Sequence, residues 1–396
     1  MDYLRLLEAT APDLIVVVSL FTILGIDYGL LRNKDALERN RTAANLSTLG
    51  LALAFAVTVW QLRGRMDLNL GDGQLVLNSL TLSFKALLFV LAAVVVQFSA
   101  GNPVNRHLGE YYAMLLLCTL GMGFLITTEN ILMAFVALEL ISLSLYALTA
   151  FRKSSLVAAE AAIKYFTFGG LSSAFLLFGL SYLYGATSSL HIDALATAEA
   201  TPLLLLALLF IFVGLGFKVA VVPFHLWAPD VYQCAPTPVA GWVATGSKIA
   251  SAFLLIRILH PVAANPDLHQ ATLSAFSAIA VVSMLIGNLG ALRQTNLKRL
   301  LAYSGIANMG YLLVGAIALS TAGMASSLFY VVVYSLANLG AFGVVAVLTD
   351  HLGREARIDD FKGCWKRSPS LACAFLVFFL SLAGIPPLAG FVGKYY

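Results

Sequence analysis

The sequence predicts an all-α fold, a polytopic membrane bundle with its N-terminus outside and two inverted repeats that each contain a broken helix. Three observations carry this prediction. Of 396 residues, 60% are hydrophobic and only 11% charged, against roughly 25% charged in soluble domains, so lipid must be the solvent. The chain divides into apolar runs close to the roughly 20 residues that a helix needs to cross a bilayer. Lysine and arginine collect in alternate loops between those runs, the pattern that sets membrane orientation.

In order, the runs are 11–31, 43–62, 77–99, 111–127, 130–150, 156–184, 202–222, 238–260, 271–292, 299–318, 324–349 and 370–396. Joints as short as "TTEN" at 127–130 make successive runs antiparallel neighbours. The opening "MDYLRLLEATAPD" has neither a basic leader nor a small-residue cleavage site, so the first run reads as a retained helix and not a signal peptide. With 32–41 placed on the cytoplasmic side, that side gathers fifteen basic residues, including Arg32, Lys34, Arg106, Arg152, Lys298 and Arg299. The other side has only Arg5, Arg63 and Arg65. An error of one helix would scramble this segregation.

Composition also excludes several classes. A net charge of +4 over this length does not suggest nucleic acid. Cys118, Cys234, Cys364 and Cys373 form no C-x-x-C pair, which argues against an iron–sulfur cluster, a zinc site or a disulfide framework. No G-x-G-x-x-G follows a predicted strand, so there is no nucleotide fingerprint.

Six basic residues remain inside the runs: Lys85, Lys164, Lys218, Lys248, Arg257 and Lys394. Glu139, in "FVALELISLSLYAL", is the deepest acid. A charge at mid-bilayer costs about 2.5–3.5 kcal/mol on insertion scales, so such residues face a bundle interior or a wet cavity and by default mark an ion or proton path. Some have plainer readings. Arg257 lies near the outer end of its run and can snorkel. Lys85 is open to snorkelling or to a structural pair. Asp27 is expected to be solvated near the inner interface. Lys164 follows Glu160 by four residues, the spacing of a helical ion pair, and could also load protons. Lys218, Lys248 and Glu139 are too deep to snorkel. Gly241, Thr245, Lys248 and Ala252 share one face of an unbroken helix, and small residues there admit a neighbouring helix. Tyr330, Tyr334 and Asn338 form a polar stripe, and Ser304 and Asn308 another; either would glue helices together or line a file of water.

Prolines interrupt two runs. "GFKVAVVPFHLWAPD" carries Lys218, Pro223 and His225; "LAGIPPLAGFVGKYY" carries Pro386, Pro387 and Lys394. Backbone donors lost at membrane depth are tolerated only inside protein or beside a water-filled cavity. Interruptions at corresponding places in two halves point to inverted repeats with the ion site between them.

With these residues in view, "GFKVAVVPFHLWAPDVYQCAPTPVAG", "YSGIANMGY" and "AGIPPLAGFVGK" resemble the antiporter-like subunits of respiratory complex I, the proton-pumping NADH:quinone oxidoreductase, and most of all its subunit N, the counterpart of mitochondrial subunit 2. The resemblance implies a proton-transfer series of Glu139, Lys218, Lys248 and Lys394, with Lys164 near the start of the sixth helix. His225 would relay protons at the break or make a structural hydrogen bond. The resemblance also implies N-terminal helices over 1–108, a first five-helix repeat over 109–260 and a second over 261–396. Cys234 stands where the family usually has glycine. Family members continue past the position of Lys394, so the second repeat is expected to be cut short here.

An amine's hold on its proton is weakened by desolvation. A carboxylate about 4 Å away restores it by roughly 4 kcal/mol at an effective dielectric near 20. Movement of Glu139 relative to Lys218 would therefore switch the lysine between holding and releasing a proton. The drive would come from elsewhere. This chain is expected to hold no cofactor of its own; NADH, FMN, iron–sulfur clusters and quinone belong to partner subunits. The expected partners are neighbouring antiporter-like and small membrane subunits, a peripheral redox arm and the bilayer of the bacterial inner membrane, with no nucleic acid. The alternatives are a subunit of a multi-subunit cation/proton antiporter and a purely structural membrane subunit.

Overall fold

The structure is a computed structural model that describes residues 3–101, 107–153, 155–352 and 354–396; Arg106, counted above among the cytoplasmic positives, lies outside them. Eleven helices among the described residues are long and apolar enough to cross a membrane. The twelfth predicted run is two shorter pieces, Pro369–Ala383 and Ala389–Tyr395, because Pro386 and Pro387 stop the helix between them. Large apolar side chains such as Val18, Phe21, Leu53, Val136, Leu143, Phe178 and Leu289 are exposed, as suits surfaces that meet lipid rather than water. The chain forms two compact units, residues 1–162 and 163–396.

The first unit contains α1 (Tyr3–Gly29), α2 (Ala36–Arg63), α3 (Ser79–Ser99), α4 (Leu108–Thr127) and α5 (Ile131–Thr149). Side-chain oxygens begin several of these helices. Asp35 accepts from Leu37 N, Asn78 and Thr81 form a capping box, and Asn130 accepts from Leu132 N and Met133 N, satisfying amides that have no intrahelical partner. Between α2 and α3 lies a feature that hydropathy did not reveal: strands β1 (Leu68–Leu70) and β2 (Leu75–Leu77) pair antiparallel, with Leu68 opposite Leu77. The carbonyl of Gly73 at the hairpin tip accepts from Thr128 Oγ1 (3.1 Å), Glu129 N (2.8 Å) and Asn130 N (3.1 Å), which are the joint between α4 and α5.

Two charged pairs inside this unit resolve or correct the sequence reading. Lys85 does not snorkel. It is fully buried, and its ammonium lies 2.6 Å from Asp13 Oδ2. Asp13 follows Pro12, which has no N–H to give the carbonyl of Glu8 four residues back; Gln61 of α2 donates to that carbonyl instead, at 2.6 Å. Asp27 is not solvated. It is 2% exposed, receives both Nε and Nη2 of Arg39 at 2.9 and 2.8 Å, and accepts from Gly109 N at 3.0 Å. The arginine fork and the amide together compensate the carboxylate for lost water.

Helix α6 (Leu156–Thr187) carries the chain into the second unit, which continues with α7 (Pro202–Val219), α8 (Trp227–Cys234), α9 (Thr237–Ala244), α10 (Gly246–Ala264), α11 (Pro266–Leu292), α12 (Leu297–Ile317), α13 (Thr321–Leu352), α14 (Cys364–Arg367), α15 (Pro369–Ala383) and α16 (Ala389–Tyr395). Helices α11 and α12 pack so closely that a Cβ on Gly287 would lie 2.5 Å from Ala307 N. Lys298, placed in a cytoplasmic loop from sequence, is only 2% exposed and donates to the carbonyl of Ala235, just past α8, at 3.0 Å.

Candidate functional site

The site begins where α7 stops. Ala220 adopts the left-handed conformation (φ 61°, ψ 49°), and Val221 N reaches back to Gly216 O at 3.0 Å. The Val222–Pro223 bond is cis, and the chain resumes as α8 at Trp227. Side chains replace the missing helical bonds: Ser283 Oγ of α11 accepts from Val222 N at 3.0 Å, and Trp227 Nε1 donates to Phe217 O at 3.1 Å. Lys218 occupies the last turn of α7, 6% exposed, with its ammonium 5.4 Å from the Phe217 ring centroid. A cation in that turn is favoured by the carbonyl end of the helix. His225 is buried within the interruption, and its Nδ1 meets no hydrogen-bonding partner among the described residues.

The second interruption repeats the first. Gly384 takes the left-handed conformation after α15 (φ 81°, ψ 42°), Ile385 N reaches back five residues to Leu380 O at 3.0 Å, and the Pro386–Pro387 bond is cis. Left-handed residue, five-residue backbond and cis-proline thus follow in the same order and spacing at 220–223 and 384–387. Lys394, on α16, turns back to donate to the last carbonyls of α15, Leu382 O at 2.7 Å and Ala383 O at 3.3 Å, two acceptors that the end of a helix leaves without amides. Its ammonium also lies 4.4 Å from the Tyr311 ring centroid.

Lys248 lies between the two interruptions in sequence, and its own helix is broken too. The sequence reading put Gly241, Thr245, Lys248 and Ala252 on one continuous helical face. The structure interrupts that face at Thr245 (φ −125°, ψ −74°), so α9 ends at Ala244 and Lys248 stands in the first turn of α10. The lysine is nonetheless enclosed by protein, 1% exposed, with its ammonium 5.7 Å from the Tyr334 ring centroid. Asn338 Nδ2 donates to Tyr334 Oη (2.9 Å) and toward the carbonyl freed at Ala244 (3.3 Å).

The two polar stripes seen in the sequence meet. Tyr330 Oη donates to Asn308 Oδ1, and Asn308 Nδ2 donates to Ser304 O at 2.7 Å. These groups lead toward Lys394, which borders a cavity of about 610 Å³ shared with Ser304, Asn308 and Tyr311, and a second of about 290 Å³ shared with Tyr311, Ser327 and Tyr330. The second unit therefore holds polar groups and open volume beside Lys394.

Lys164 is tied to Asp230 of α8, 3.0 Å from its Oδ2, while Arg299 Nη1 lies 2.6 Å from Oδ1. Beside the local spacing to Glu160, the structure gives Lys164 a partner 66 residues away. Asp230 is partly buried, which raises its carboxyl pKa, but hydrogen bonds from Arg299 and Lys164 outweigh this and hold the value below the ordinary one. Sequence reasoning missed this hub, although an acid two residues before "YQ" in an otherwise apolar stretch was a visible signal. Glu139 belongs to the first unit. It is half-buried on α5, with Ser142 and Tyr146 three and seven residues on along the same helix.

Comparison with known proteins adds to this geometry. The family described as NADH:quinone oxidoreductase/Mrp antiporter, TM, matches residues 128–396. The NADH-quinone oxidoreductase subunit N 2 of Acidobacterium capsulatum is 45% identical over 413 residues, covering 100% of this chain and 82% of that protein. The subunit N of Moorella thermoacetica is 41% identical over 363 residues, with 90% and 75% covered. Among solved structures, a chain of respiratory complex I from Thermus thermophilus with bound aureothin superimposes with a TM-score of 0.78 at 34% identity, covering 96% of this chain and 80% of that one. A chain of the membrane-bound sulfane sulfur reductase, an archaeal respiratory membrane complex, gives 0.83 at 26%, with 98% and 80% covered. A chain of the Mrp complex from a Dietzia species gives 0.82 at 24% and shares the fold.

Proposed function

The chain belongs to the NADH:quinone oxidoreductase/Mrp antiporter transmembrane family, and from that premise we propose that it translocates protons as a multi-pass inner-membrane subunit of a bacterial NADH:quinone oxidoreductase. The observation that carries this reading is the matched pair of helix breaks. Each ends a half-helix at a left-handed residue followed three residues on by a proline, each has a lysine at its carbonyl end, and the enclosed Lys248 lies between them in sequence. Their common pattern supports two repeats, 109–260 and 261–396, behind N-terminal helices at 1–108. The segregated basic residues support an external N-terminus.

In this reading Lys218 holds a proton at the first break, Lys248 carries it across the middle, and Lys394 releases it on the far side. Glu139 supplies the carboxylate whose charge biases the lysines, and Lys164 collects protons near the cytoplasmic surface. His225 exchanges protons at the first break. No side chain in this series carries electrons. The redox drive comes through contacts with neighbouring antiporter-like and small membrane subunits from a peripheral arm that oxidises NADH with FMN and iron–sulfur clusters and reduces quinone.

The test is an assembled complex carrying Lys218→Ala or Glu139→Ala. Proton uptake by inverted membrane vesicles should fall sharply, while NADH oxidation with an artificial acceptor, a property of the peripheral arm, is retained. Normal proton-to-electron stoichiometry in the Lys218→Ala complex would overturn the proposal. The multi-subunit antiporter reading gains ground if the chain copurifies without flavin and iron–sulfur proteins.

A further inference from the structure

Helices α2 and α3 leave a groove of about 460 Å³ between them in the first unit. Small side chains on both helices, Ala52 and Ala93, keep it open, and Leu51 and Phe89, each 1% exposed, form its floor. Its polar groups lie at one end. Gln97 Nε2 donates to Thr48 Oγ1 across the mouth at 2.8 Å, and the exposed amide keeps a second hydrogen to give. Every other lining side chain is apolar. This is the end at which Asn40 of α2 donates to Ser99 O and Ala100 O at the close of α3, at 3.0 and 3.1 Å. Beyond the mouth stands Arg41, just before the apolar run 43–62 and therefore at headgroup level. It shares a face of α2 with Thr48, Ala52 and Phe55, which follow it at intervals of seven, four and three residues. Arg39 is held by Asp27 and Lys34 by Glu38. Arg41 is exposed and has no ion-pair partner among the described residues. A cation, an amide donor and an apolar channel thus succeed one another along the helix pair, with about 10 Å from Arg41 to Thr48 and as much again to Phe55.

We propose that this groove seats one phospholipid of the surrounding bilayer, with its phosphate on Arg41, an ester carbonyl on Gln97 and the upper part of one acyl chain between α2 and α3. Phosphate, ester and hydrocarbon follow in the same order in the lipid as their three partners do in the protein. A guanidinium takes a phosphate through two parallel hydrogen bonds, so Arg41 is the group that turns an exchangeable surface lipid into a held one. A helix from a neighbouring subunit would fill the apolar part equally well, but an uncompensated guanidinium at the rim calls for an anion, and phosphate is the anion at that level of a bilayer.

The test uses the assembled complex in vesicles doped with a phospholipid whose acyl chain carries a photoreactive diazirine. After illumination, labelled peptides are read by mass spectrometry. Peptides around Phe55 and Phe89 should carry roughly tenfold more label than those around Val18 and Phe21 of α1, which are simply exposed; that excess is the occupancy gained from one hydrogen bond to a charged group. Arg41→Gln should remove the excess, and a diazirine diacylglycerol, which lacks the phosphate, should show none. Ala52→Phe, which fills the groove and leaves Arg41 in place, should also remove it. Arg41 and Ala52 are both exposed, so neither substitution takes away core packing. Equal labelling of the groove and α1 in the wild type would mean ordinary exchanging lipid and would overturn the proposal. Labelling of the groove below that of α1 would overturn it too, because a neighbouring subunit would then cover the groove. An excess that survives Arg41→Gln would refute the phosphate contact and with it the held lipid.

Discussion

Replacing either member of the Asp13–Lys85 pair should be far more damaging than replacing both. The ammonium and carboxylate are 2.6 Å apart and buried. At an effective dielectric near 20 their attraction is about 6 kcal/mol, which roughly offsets a desolvation cost of several kcal/mol for each ion. The pair as a whole is therefore close to neutral for stability. Asp13→Leu leaves the lysine charge without its carboxylate beside Gly123, and Lys85→Met leaves the carboxylate; each should cost about 3–5 kcal/mol. The combined Asp13→Leu/Lys85→Met variant buries two apolar side chains of similar size and should recover most of that loss. The assay is a double-mutant cycle on the detergent-solubilised complex. Retention of this chain in the complex is followed on native gels through a heating series. A double variant that loses the sum of the two single losses would refute the reasoning, because additivity would mean the charges do not interact.

Two further predictions concern the second unit. Asp230 has a depressed carboxyl value in the folded chain, so its contribution is present above the unfolded carboxylate value and is lost as pH falls through the folded one. Amide exchange along α8 should therefore be slower in the wild-type complex than in Asp230→Asn near neutral pH, and the difference should vanish in acid; a difference that persists below the carboxylate range would exclude the ion hub as its cause. Gly287→Ala drives a methyl to 2.5 Å from the backbone nitrogen of Ala307 and should cost about 1–3 kcal/mol by overpacking. Thermal retention should fall for Gly287→Ala but not for Gly25→Ala, whose added carbon meets nothing within 4 Å.

The spans and the two proline breaks were legible in the sequence because their signals are local. Apolar length, segregated basic residues and a proline beside a buried lysine each lie within one helix or its flanking loops. The break at Thr245 was not legible. The run from 238 to 260 has no proline near the interruption, only Thr245, Gly246 and Ser247 together, so a straight helix was the natural reading; it placed Lys248 inside the bundle, where it lies. Partners were the other blind spot. Lys85 finds Asp13 across 72 residues and Lys164 finds Asp230 across 66, and no periodicity within a helix reports such pairings. Asp27 was misjudged for a related reason: distance along a helix from its end says nothing of an Arg39 that folds back over it.

The carbonyl of Gly73, holding three donors from residues 128–130, has a mechanical consequence. It fastens the hairpin that leads into α3 to the joint between α4 and α5, so these three helices share one fixed level at that end. Piston-like sliding of α3 past its neighbours would have to break all three bonds together. Any motion transmitted through this part of the protein is therefore confined to tilting or twisting about a pinned end.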